Sequence, residues 1–319
     1  MITIKYSTLK NSFSFLLYIS IFTSLLLFVL GGIVRVTGSG LGCPDWPLCY
    51  GQLFPPLELK AIIEYTHRFV AMIFGIFILF VFSMSFFLYR KQKIIIFVSS
   101  MLFILLIVQG LLGAYTVMSE LNPWMVTLHL TNGYLLIAFL VVLKIFTTYL
   151  APKEESNYLI RRILPKNLAI LNVLLVGFLF LVSISGAYLR GEQASFQCLS
   201  WPLCHSAFIP EDIISQVNML HRYVVGLFTL YMIWVGYLGY KFLSVYKNPM
   251  IKNMLTFTLF LYIIQIAIGA IMALTSMNGV FRVIHLFGSA FTWTVLIMYV
   301  TTLIVTKTQN NTVGEIKHE

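Results

Sequence analysis

Charged residues are scarce in this sequence of 319 residues: Asp, Glu, Lys and Arg make up 10%, while hydrophobic residues make up 59%. The mean hydropathy of +0.91 lies far outside the range of soluble globular domains. Acidic residues are especially few, with 11 against 21 Lys and Arg. The net charge of +10 does not indicate nucleic-acid binding, because no basic cluster interleaved with aromatic residues lies on a soluble domain. This composition predicts a membrane protein.

Eight apolar stretches are long enough to cross a bilayer, whose core takes about 20 helical residues at about 1.5 Å each. We place them near 13–36, 61–88, 94–118, 124–149, 168–190, 213–240, 254–275 and 281–306. Only helices satisfy the backbone of such segments in lipid. The predicted fold is therefore an all-α membrane protein with eight transmembrane helices.

Basic residues are concentrated on one side of these spans. The N-terminus, the connections after the even-numbered spans and the C-terminal tail together hold 15 of the 21 Lys and Arg. This bias predicts that both termini are cytoplasmic. A convincing small-residue cleavage site is lacking, and so is the Arg- and Ser-rich leader of a mitochondrial precursor. We expect the first apolar run to remain as a span, in a bacterial plasma membrane.

One pattern occurs twice, over residues 61–136 and 215–292. Each copy contains His-Arg, then Gln-x3-Gly-Ala, then His-Leu: His67-Arg68, Gln109 and His129 in the first, His221-Arg222, Gln265 and His285 in the second. The duplication predicts two pseudo-symmetric four-helix bundles. We assign residues 1–152 to the N-terminal half, 153–167 to a cytoplasmic linker and 168–319 to the C-terminal half.

The repeated histidines form two pairs at one predicted depth. His67 and His129 lie about six and five residues inside the outer ends of spans two and four, or roughly 8–10 Å, and His221 and His285 repeat this. A single intramembrane histidine often only packs, but two matched pairs favour metal sites. Two imidazoles from facing helices suit haem iron. Zinc or copper would require a third or fourth ligand nearby.

Four arginines are candidate partners for haem propionates near the outer surface. Arg68 and Arg222 directly follow histidines, while Arg35 and Arg190 end spans one and five in matched Gly-x3-Arg sequences. Charge this close to the membrane core is costly and usually functional. The alternative for each arginine is that it extends to lipid phosphate.

Cysteine is limited to four residues, all in two long outer loops near 37–60 and 191–212. Each loop carries Cys-x5-Cys, as Cys43–Cys49 and Cys198–Cys204. In an oxidising compartment both pairs should form disulfides. A loop staple and a redox role both stay open. Zinc is disfavoured, because His205 beside Cys204 has Tyr50 as its counterpart in the first loop.

The two copies differ three residues before the first histidine, where Glu64 in one corresponds to Asn218 in the other. Glu64 lies one helical turn from His67, on the same face. A carboxylate beside one site and an amide beside the other predict different roles. Glu64 is placed to bind a proton, stabilise a developing cation or position water. An i,i+4 pair with Arg68 is the alternative, and both readings are compatible.

These features together make the chain closely resemble the haem A synthase family, through essentially all of residues 13–306. The motif Glu64-x2-His67-Arg68 and the two Trp-Pro-Leu-Cys loops make the resemblance specific. It implies oxidation of the C8 methyl group of haem O to a formyl group, which yields haem A for terminal oxidases. In that family the route is two successive hydroxylations, followed by loss of water from a geminal diol.

The resemblance also implies roles for the candidate residues. In the N-terminal half, His67 and His129 would hold the substrate haem, and Glu64 would be the essential carboxylate. In the C-terminal half, His221 and His285 would hold a haem b cofactor. Cys43 and Cys49 would be the functionally important cysteine pair, with Cys198 and Cys204 more structural. Haem O synthase is the expected donor of substrate. The electron partner and the source of the oxygen atom stay open, and a homo-oligomer is compatible with the sequence.

Two rival interpretations belong to other classes of protein. A dihaem b-type electron carrier would place its haems at different depths, and it gives the Glu64/Asn218 difference no purpose. A haem transporter or chaperone would have symmetric, weakly held haem sites and no need for a carboxylate. We therefore favour the enzyme.

Overall fold

The structure is a computed structural model that describes the backbone of residues 2–150, 165–191, 194–245 and 248–315. Side chains are described for residues 8–150, 165–189, 196–245 and 248–306. Most of the linker predicted at 153–167 lies outside these ranges. The division into halves at this linker therefore stays a prediction.

Long helices account for nearly all of the described chain. They are α1 (Ile2–Val36), α2 (Leu59–Tyr89), α3 (Lys93–Met118), α4 (Pro123–Tyr149), α5 (Lys166–Gly191), α6 (Ile213–Val245), α7 (Pro249–Leu274) and α8 (Gly279–Glu315). A short 3-10 helix, Ala194–Gln197, lies in the second long loop. All eight helices contain segments long and apolar enough to cross a membrane, which confirms the predicted spans. No strand occurs among the described residues, so the all-α prediction is confirmed there.

Two tight turns with the same construction precede α4 and α8. Each contains two successive residues in the left-handed region, Glu120 and Leu121 (φ 53° and 65°) before α4 and Ser276 and Met277 (φ 52° and 61°) before α8. Each turn ends on an asparagine whose side chain accepts a hydrogen bond from the backbone two residues ahead, at 3.0 Å in the first turn and 2.9 Å in the second. This cap satisfies a backbone N–H that has no partner inside the helix. Both helices therefore start in the same register relative to their histidines.

The helices form two sets of four. Within α1–α4 each helix contacts the next, and α1 closes onto α4; within α5–α8 the same contacts recur, and α5 closes onto α8. The sets meet where α4 and α8 contact each other, α1 contacts α8 and α4 contacts α5. In α4 and α8, 56% and 50% of an 18-residue apolar stretch is buried, against 33% or less in the other spans, so these two are the inner helices. The pseudo-two-fold relation and the cytoplasmic termini stay predictions.

The core is continuous across the two sets of helices. Trp293 of α8 donates its indole N–H to the carbonyl oxygen of Tyr134 in α4, at 2.8 Å. The hydroxyl groups of Tyr134 and Ser289 are hydrogen bonded. The ring of Phe28 lies edge-on against Tyr134, with centroids 4.9 Å apart. Buried polar side chains in lipid are costly unless paired. These contacts therefore fix α4 against α8, the two helices that carry His129 and His285.

Candidate haem sites

The four histidines lie at matched places in the even-numbered helices. His67 and His221 are the ninth residues of α2 and α6, and His129 and His285 are the seventh residues of α4 and α8. At about 1.5 Å per residue, each is about 9–12 Å from the first residue of its helix. The four histidines thus lie at equivalent positions near the starts of their helices.

A glycine of the preceding helix packs against every one of these imidazoles. From a β-carbon built on the glycine to Cε1 of the ring, the distance is 3.5 Å for Gly31 and His67, 3.3 Å for Gly113 and His129, 3.1 Å for Gly186 and His221, and 3.1 Å for Gly269 and His285. A side chain at most of these positions would have to displace the ring. The glycines of the Gly-x3-Arg and Gln-x3-Gly sequences are therefore explained by imidazole packing.

In the C-terminal half both imidazoles have a hydrogen-bonding neighbour at Nδ1. Ser185 Oγ lies 2.8 Å from Nδ1 of His221, and Gln265 Nε2 lies 3.1 Å from Nδ1 of His285. The amide of Gln265 also donates to the backbone oxygen of His285, at 2.7 Å. In both residues the contact is to Nδ1, and Nε2 is the nitrogen on the far side of the ring. The hydroxyl oxygen of Ser185 can accept from Nδ1–H, as acceptors do beside histidines that bind metals through Nε2, whereas the amide nitrogen of Gln265 only donates.

The N-terminal half holds its imidazoles differently. Nδ1 of His67 and Nδ1 of His129 are both buried without a hydrogen-bond partner among the described residues. Gln109 contacts the other nitrogen of His129, with 3.3 Å between the two Nε2 atoms. Asn132 donates to Gln109 Oε1 at 2.7 Å, and so holds that amide in place. The nitrogen of His129 that would bind iron is therefore already in a hydrogen bond.

Single residue differences between the copies explain these two arrangements. Ser185 stands one residue before Gly186, and the matching residue before Gly31 is Leu30, which has no hydroxyl group. Asn132 is three residues after His129, and the matching position after His285 is Gly288. A β-carbon at Gly288 would collide with Oε1 of Gln265, so this position cannot carry an asparagine without moving that amide. Ser185 and Asn132 were not predicted from the sequence, although both positions differ when the two copies are aligned.

Arg68 binds the first cysteine loop to α2. Its Nη1 donates to the carbonyl oxygens of Asp45 and Leu48, at 2.7 and 2.9 Å, and its Nη2 donates to that of Cys43, at 2.7 Å. Its Nε donates to Oε1 of Glu64, at 3.0 Å. Four N–H directions of the guanidinium are thus used inside the protein, which suits the fixed fork of arginine.

Arg222 makes the same set of contacts in the second loop. Its Nη1 donates to the carbonyl oxygens of Ser200 and Pro202, at 2.7 and 3.0 Å, and its Nη2 to that of Cys198, at 2.9 Å. Its Nε donates to Oδ1 of Asn218, at 2.9 Å. The two arginines were predicted to bind propionates, and that role stays a prediction. The structure assigns them loop carbonyls as partners.

Glu64 and Asn218 therefore occupy equivalent places with different charge. Both are buried, with 5% and 4% of their surface exposed, and each accepts from the Nε of the arginine four residues later. The alternative reading of Glu64 as an i,i+4 partner of Arg68 is thus present in the structure. Because the same contact is made by a neutral amide in the other half, the carboxylate charge is not required to hold the arginine.

Both cysteine pairs form disulfides, Cys43–Cys49 and Cys198–Cys204, and all four side chains are buried. Their sulfur atoms are not available as thiolate ligands, so zinc does not fit the loops. Ring Nε2 of His205 instead lies 3.0 Å from the carbonyl oxygen of Gln197.

The loops differ two residues after their first cysteine. In the first loop, the carboxylate of Asp45 accepts hydrogen bonds from the backbone N–H groups of Tyr50 and Gly51, at 2.6 and 2.7 Å. In the second, Ser200 Oγ accepts from the N–H of His205 at 3.0 Å. The N–H of Gly51, followed by that of Tyr50, lowers the pKa of Asp45, which lies in the loop outside the spans. One loop is thus closed by a charge and the other by a neutral hydroxyl.

The remaining predicted propionate partners lie at the ends of α1 and α5. Arg35 is in the last turn of α1, and Arg282 is in the first turn of α8, which contacts α1. The guanidinium of Arg282 also lies 5.1 Å from the ring centroid of Phe196. Arg282 was not singled out from the sequence. The side chain of Arg190 lies outside the described residues, and the propionate role of Arg35 stays a prediction.

The residues of both sites fit haem. Each half supplies two imidazoles at matched positions of its even-numbered helices. Across the described part of the chain, no group of three or more His, Cys, Asp and Glu residues is arranged to hold a bare metal ion. Axial ligation needs only two such donors, because the macrocycle supplies the others.

Comparison with known proteins gives a consistent result. The sequence matches the family described as Cytochrome oxidase assembly protein (COX15-CtaA) over residues 14–297. A Heme A synthase of Macrococcus caseolyticus is 32% identical over 278 residues, which cover 84% of this chain and 90% of that protein. A Heme A synthase of an Exiguobacterium species is 31% identical over 248 residues, covering 77% and 78%. One from Staphylococcus epidermidis is 30% identical over 264 residues, covering 80% and 83%.

These relatives are bacterial, and the eight spans run through the matched region. The chain is thus a multi-pass bacterial membrane protein. It belongs to the COX15-CtaA family of cytochrome oxidase assembly proteins.

Proposed function

We propose that this protein is a haem A synthase, which oxidises the C8 methyl group of haem O to a formyl group. Its relatives of 30–32% identity carry the name Heme A synthase. Each hydroxylation replaces one C–H bond with C–OH and removes two electrons from the methyl carbon. The second gives a geminal diol, which loses water to leave the aldehyde. If the oxygen atom comes from water, each hydroxylation releases two protons and passes two electrons to an external acceptor. If it comes from dioxygen, each hydroxylation consumes two protons and two electrons from an external donor and forms water.

The observation that carries the proposal is the placement of Glu64. Its carboxylate is buried one helical turn from His67, and the equivalent contact in the other half is made by an amide. Because the amide makes the equivalent hydrogen bond to its arginine, we infer that the carboxylate in the N-terminal half serves the chemistry. We therefore assign substrate haem to His67 and His129, and a haem b cofactor to His221 and His285.

The residues of the chain have separate tasks in this scheme. His67 and His129 would hold haem O, with the carboxylate of Glu64 one helical turn from His67. The Arg68 hydrogen bond goes to Oε1 of Glu64, which leaves Oε2 to accept a proton released from the methyl group or from water. Arg68 also holds the first cysteine loop against α2. When bound between His221 and His285, haem b supplies one-electron redox chemistry.

A direct test is to express the chain in a host that makes haem O but not haem A, and to analyse the extracted haems by mass. The expected products are haem A and the hydroxylated intermediate. If the folded protein retained haem b and produced neither, the enzyme would be ruled out and an electron carrier or haem chaperone favoured. Haem O synthase is the proposed donor, since substrate must arrive from a membrane-bound source.

Glu64→Gln tests the catalytic carboxylate with a minimal change in structure. Glutamine keeps an oxygen acceptor for Arg68 Nε, as Asn218 does for Arg222. We expect haem A formation to fall about 10²–10⁴-fold, because positioned proton transfer contributes that much. The low-spin haem b spectrum should be unchanged. Asn218→Ala changes the equivalent residue of the other half and is the matched control; it should leave more haem A formation than Glu64→Gln does. Loss of the haem b spectrum in Glu64→Gln would instead make Glu64 structural.

A further inference from the structure

Ser185 holds the imidazole of His221 through the nitrogen that does not face a metal site. Its Oγ lies 2.8 Å from Nδ1 of His221, and it also donates its single hydrogen to the backbone oxygen of Val182, at 2.8 Å. A hydroxyl group has one hydrogen and two lone pairs. Because the hydrogen is used by Val182, Oγ accepts from Nδ1–H of His221. Nε2 then carries the free lone pair, as an axial ligand must.

The next residue on α5 fixes the plane of the same ring. A β-carbon on Gly186 would lie 3.1 Å from Cε1 of His221, closer than an ordinary contact. The ring is therefore confined by close packing at one edge and by the Ser185 hydrogen bond at Nδ1. Two consecutive residues of one helix thus set both the orientation and the tautomer of His221.

The N-terminal half has the packing contact but not the hydrogen bond. Gly31 stands 3.5 Å from Cε1 of His67, by the same measure. The residue before it is the half-buried Leu30, and Nδ1 of His67 has no hydrogen-bond partner among the described residues. His67 is therefore free to adopt either tautomer and has more freedom to rotate.

We propose that Ser185 is a positioning residue that makes the C-terminal site retain its haem, and that Leu30 leaves the N-terminal site able to exchange. This inference rests on the proposed assignment of haem ligands. Hydrogen bonds to the second nitrogen of metal-binding histidines typically contribute 10–100-fold to affinity. They also raise the basicity of the ligand, which favours the oxidised iron. A cofactor must stay bound through many turnovers, whereas a substrate must leave after one.

The test compares purified Ser185→Ala, Ser185→Thr and Ser183→Ala proteins, each loaded in the host. Ser183 is on the same helix and bonds only the backbone oxygen of Leu179, so it is the matched control. Haem retention is measured as haem per protein and as the rate of haem transfer to apomyoglobin. We expect about 10–100-fold faster release from Ser185→Ala and a higher midpoint potential for the haem that remains. Threonine should restore both, and Ser183→Ala should change neither.

Leu30→Ser is the reciprocal change, and it should slow transfer of haem O from the N-terminal site to apomyoglobin. His221→Ala separates the possible failures. If it abolishes haem retention while Ser185→Ala leaves release rate and midpoint potential unchanged, the role of Ser185 is overturned and the ligand assignment stands. If His221→Ala retains haem as the parent does, the ligand assignment itself fails. If Leu30→Ser transferred haem O to apomyoglobin as fast as the parent protein does, the role given to Leu30 would be overturned.

Discussion

The two halves of the molecule hold their arginines alike and their histidines differently. Arg68 and Arg222 each bind three carbonyl oxygens of a disulfide loop and one side-chain oxygen four residues back. By contrast, the second half contacts Nδ1 of both its histidines, whereas the first half contacts only Nε2 of one. The arginine contacts that hold each cysteine loop to its helix are thus the same in both copies. The groups that contact the histidines diverged, which is expected if one site performs chemistry and the other assists it.

The strongest test of this comparison is to remove one histidine from each half. His221→Ala should abolish the haem retained on purification, because one axial ligand is lost from the site with the firmest support. His67→Ala should leave that haem and its low-spin spectrum in place while stopping haem A formation. The measurement is haem per protein with optical spectra of both variants. The reverse result would show that the roles of the two halves are exchanged.

A second prediction separates the arginines by the charge of their partners. Arg68→Ala leaves the buried Glu64 without its cation, and breaking a buried ion pair costs about 3–5 kcal/mol. Arg222→Ala leaves a neutral amide, for which about 1–3 kcal/mol is expected. Each change removes three hydrogen bonds to its own cysteine loop, so the difference in destabilisation between the two variants reports the effect of the Glu64 carboxylate. The measurement is the midpoint of thermal unfolding in detergent.

The double variant Arg68→Ala/Glu64→Gln is the control for that comparison. If the carboxylate causes the extra loss, adding Glu64→Gln should bring the unfolding midpoint close to that of Arg222→Ala, as a double-mutant cycle requires. Equal destabilisation by Arg68→Ala and Arg222→Ala would show that the loop contacts dominate and that the charge of Glu64 is compensated elsewhere.

A feature can be predicted from the sequence when it follows from a pattern of the residues themselves, such as hydropathy or spacing. A feature that depends on which group a side chain contacts has no such pattern. The spans and the matched depths of His67 and His221 follow from hydropathy and from counting along helices. The partners of Arg68 do not, because backbone carbonyls of a loop have no signature in the sequence. Ser185 is an intermediate case: a serine in an apolar span says little by itself, yet the leucine at the matching position, Leu30, marks a difference in how the two histidines are held.

A smaller effect is expected from Asn132, which fixes Gln109 against Nε2 of His129. Asn132→Ala removes the hydrogen bond to Gln109 Oε1, and such a bond contributes about 0.5–1.5 kcal/mol. Gln109 should then release His129 more readily, and haem O should bind up to about tenfold more tightly. A Soret titration of detergent-solubilised protein with haem O measures this. Asn172→Ala removes another buried asparagine, in α5, and should not change the titration; weaker binding by Asn132→Ala would contradict the proposed competition.

The smallest effect should be a difference in acid sensitivity between the two disulfide loops. The N–H groups of Gly51 and Tyr50 lower the pKa of Asp45, so the folded loop favours the carboxylate. A group whose pKa is lower in the folded state stabilises it above the unfolded pKa, about 3.9 for Asp, and this stabilisation is lost as the pH falls through the folded pKa. Ser200 in the second loop does not titrate. Reduction of Cys43–Cys49 by a water-soluble phosphine should therefore accelerate modestly below about pH 4, relative to Cys198–Cys204. Asp45→Ser should remove this difference between the loops. The measurement is mass spectrometry of alkylated peptides. An equal acid response of both loops in the parent protein would show that Asp45 does not control reduction of the first loop.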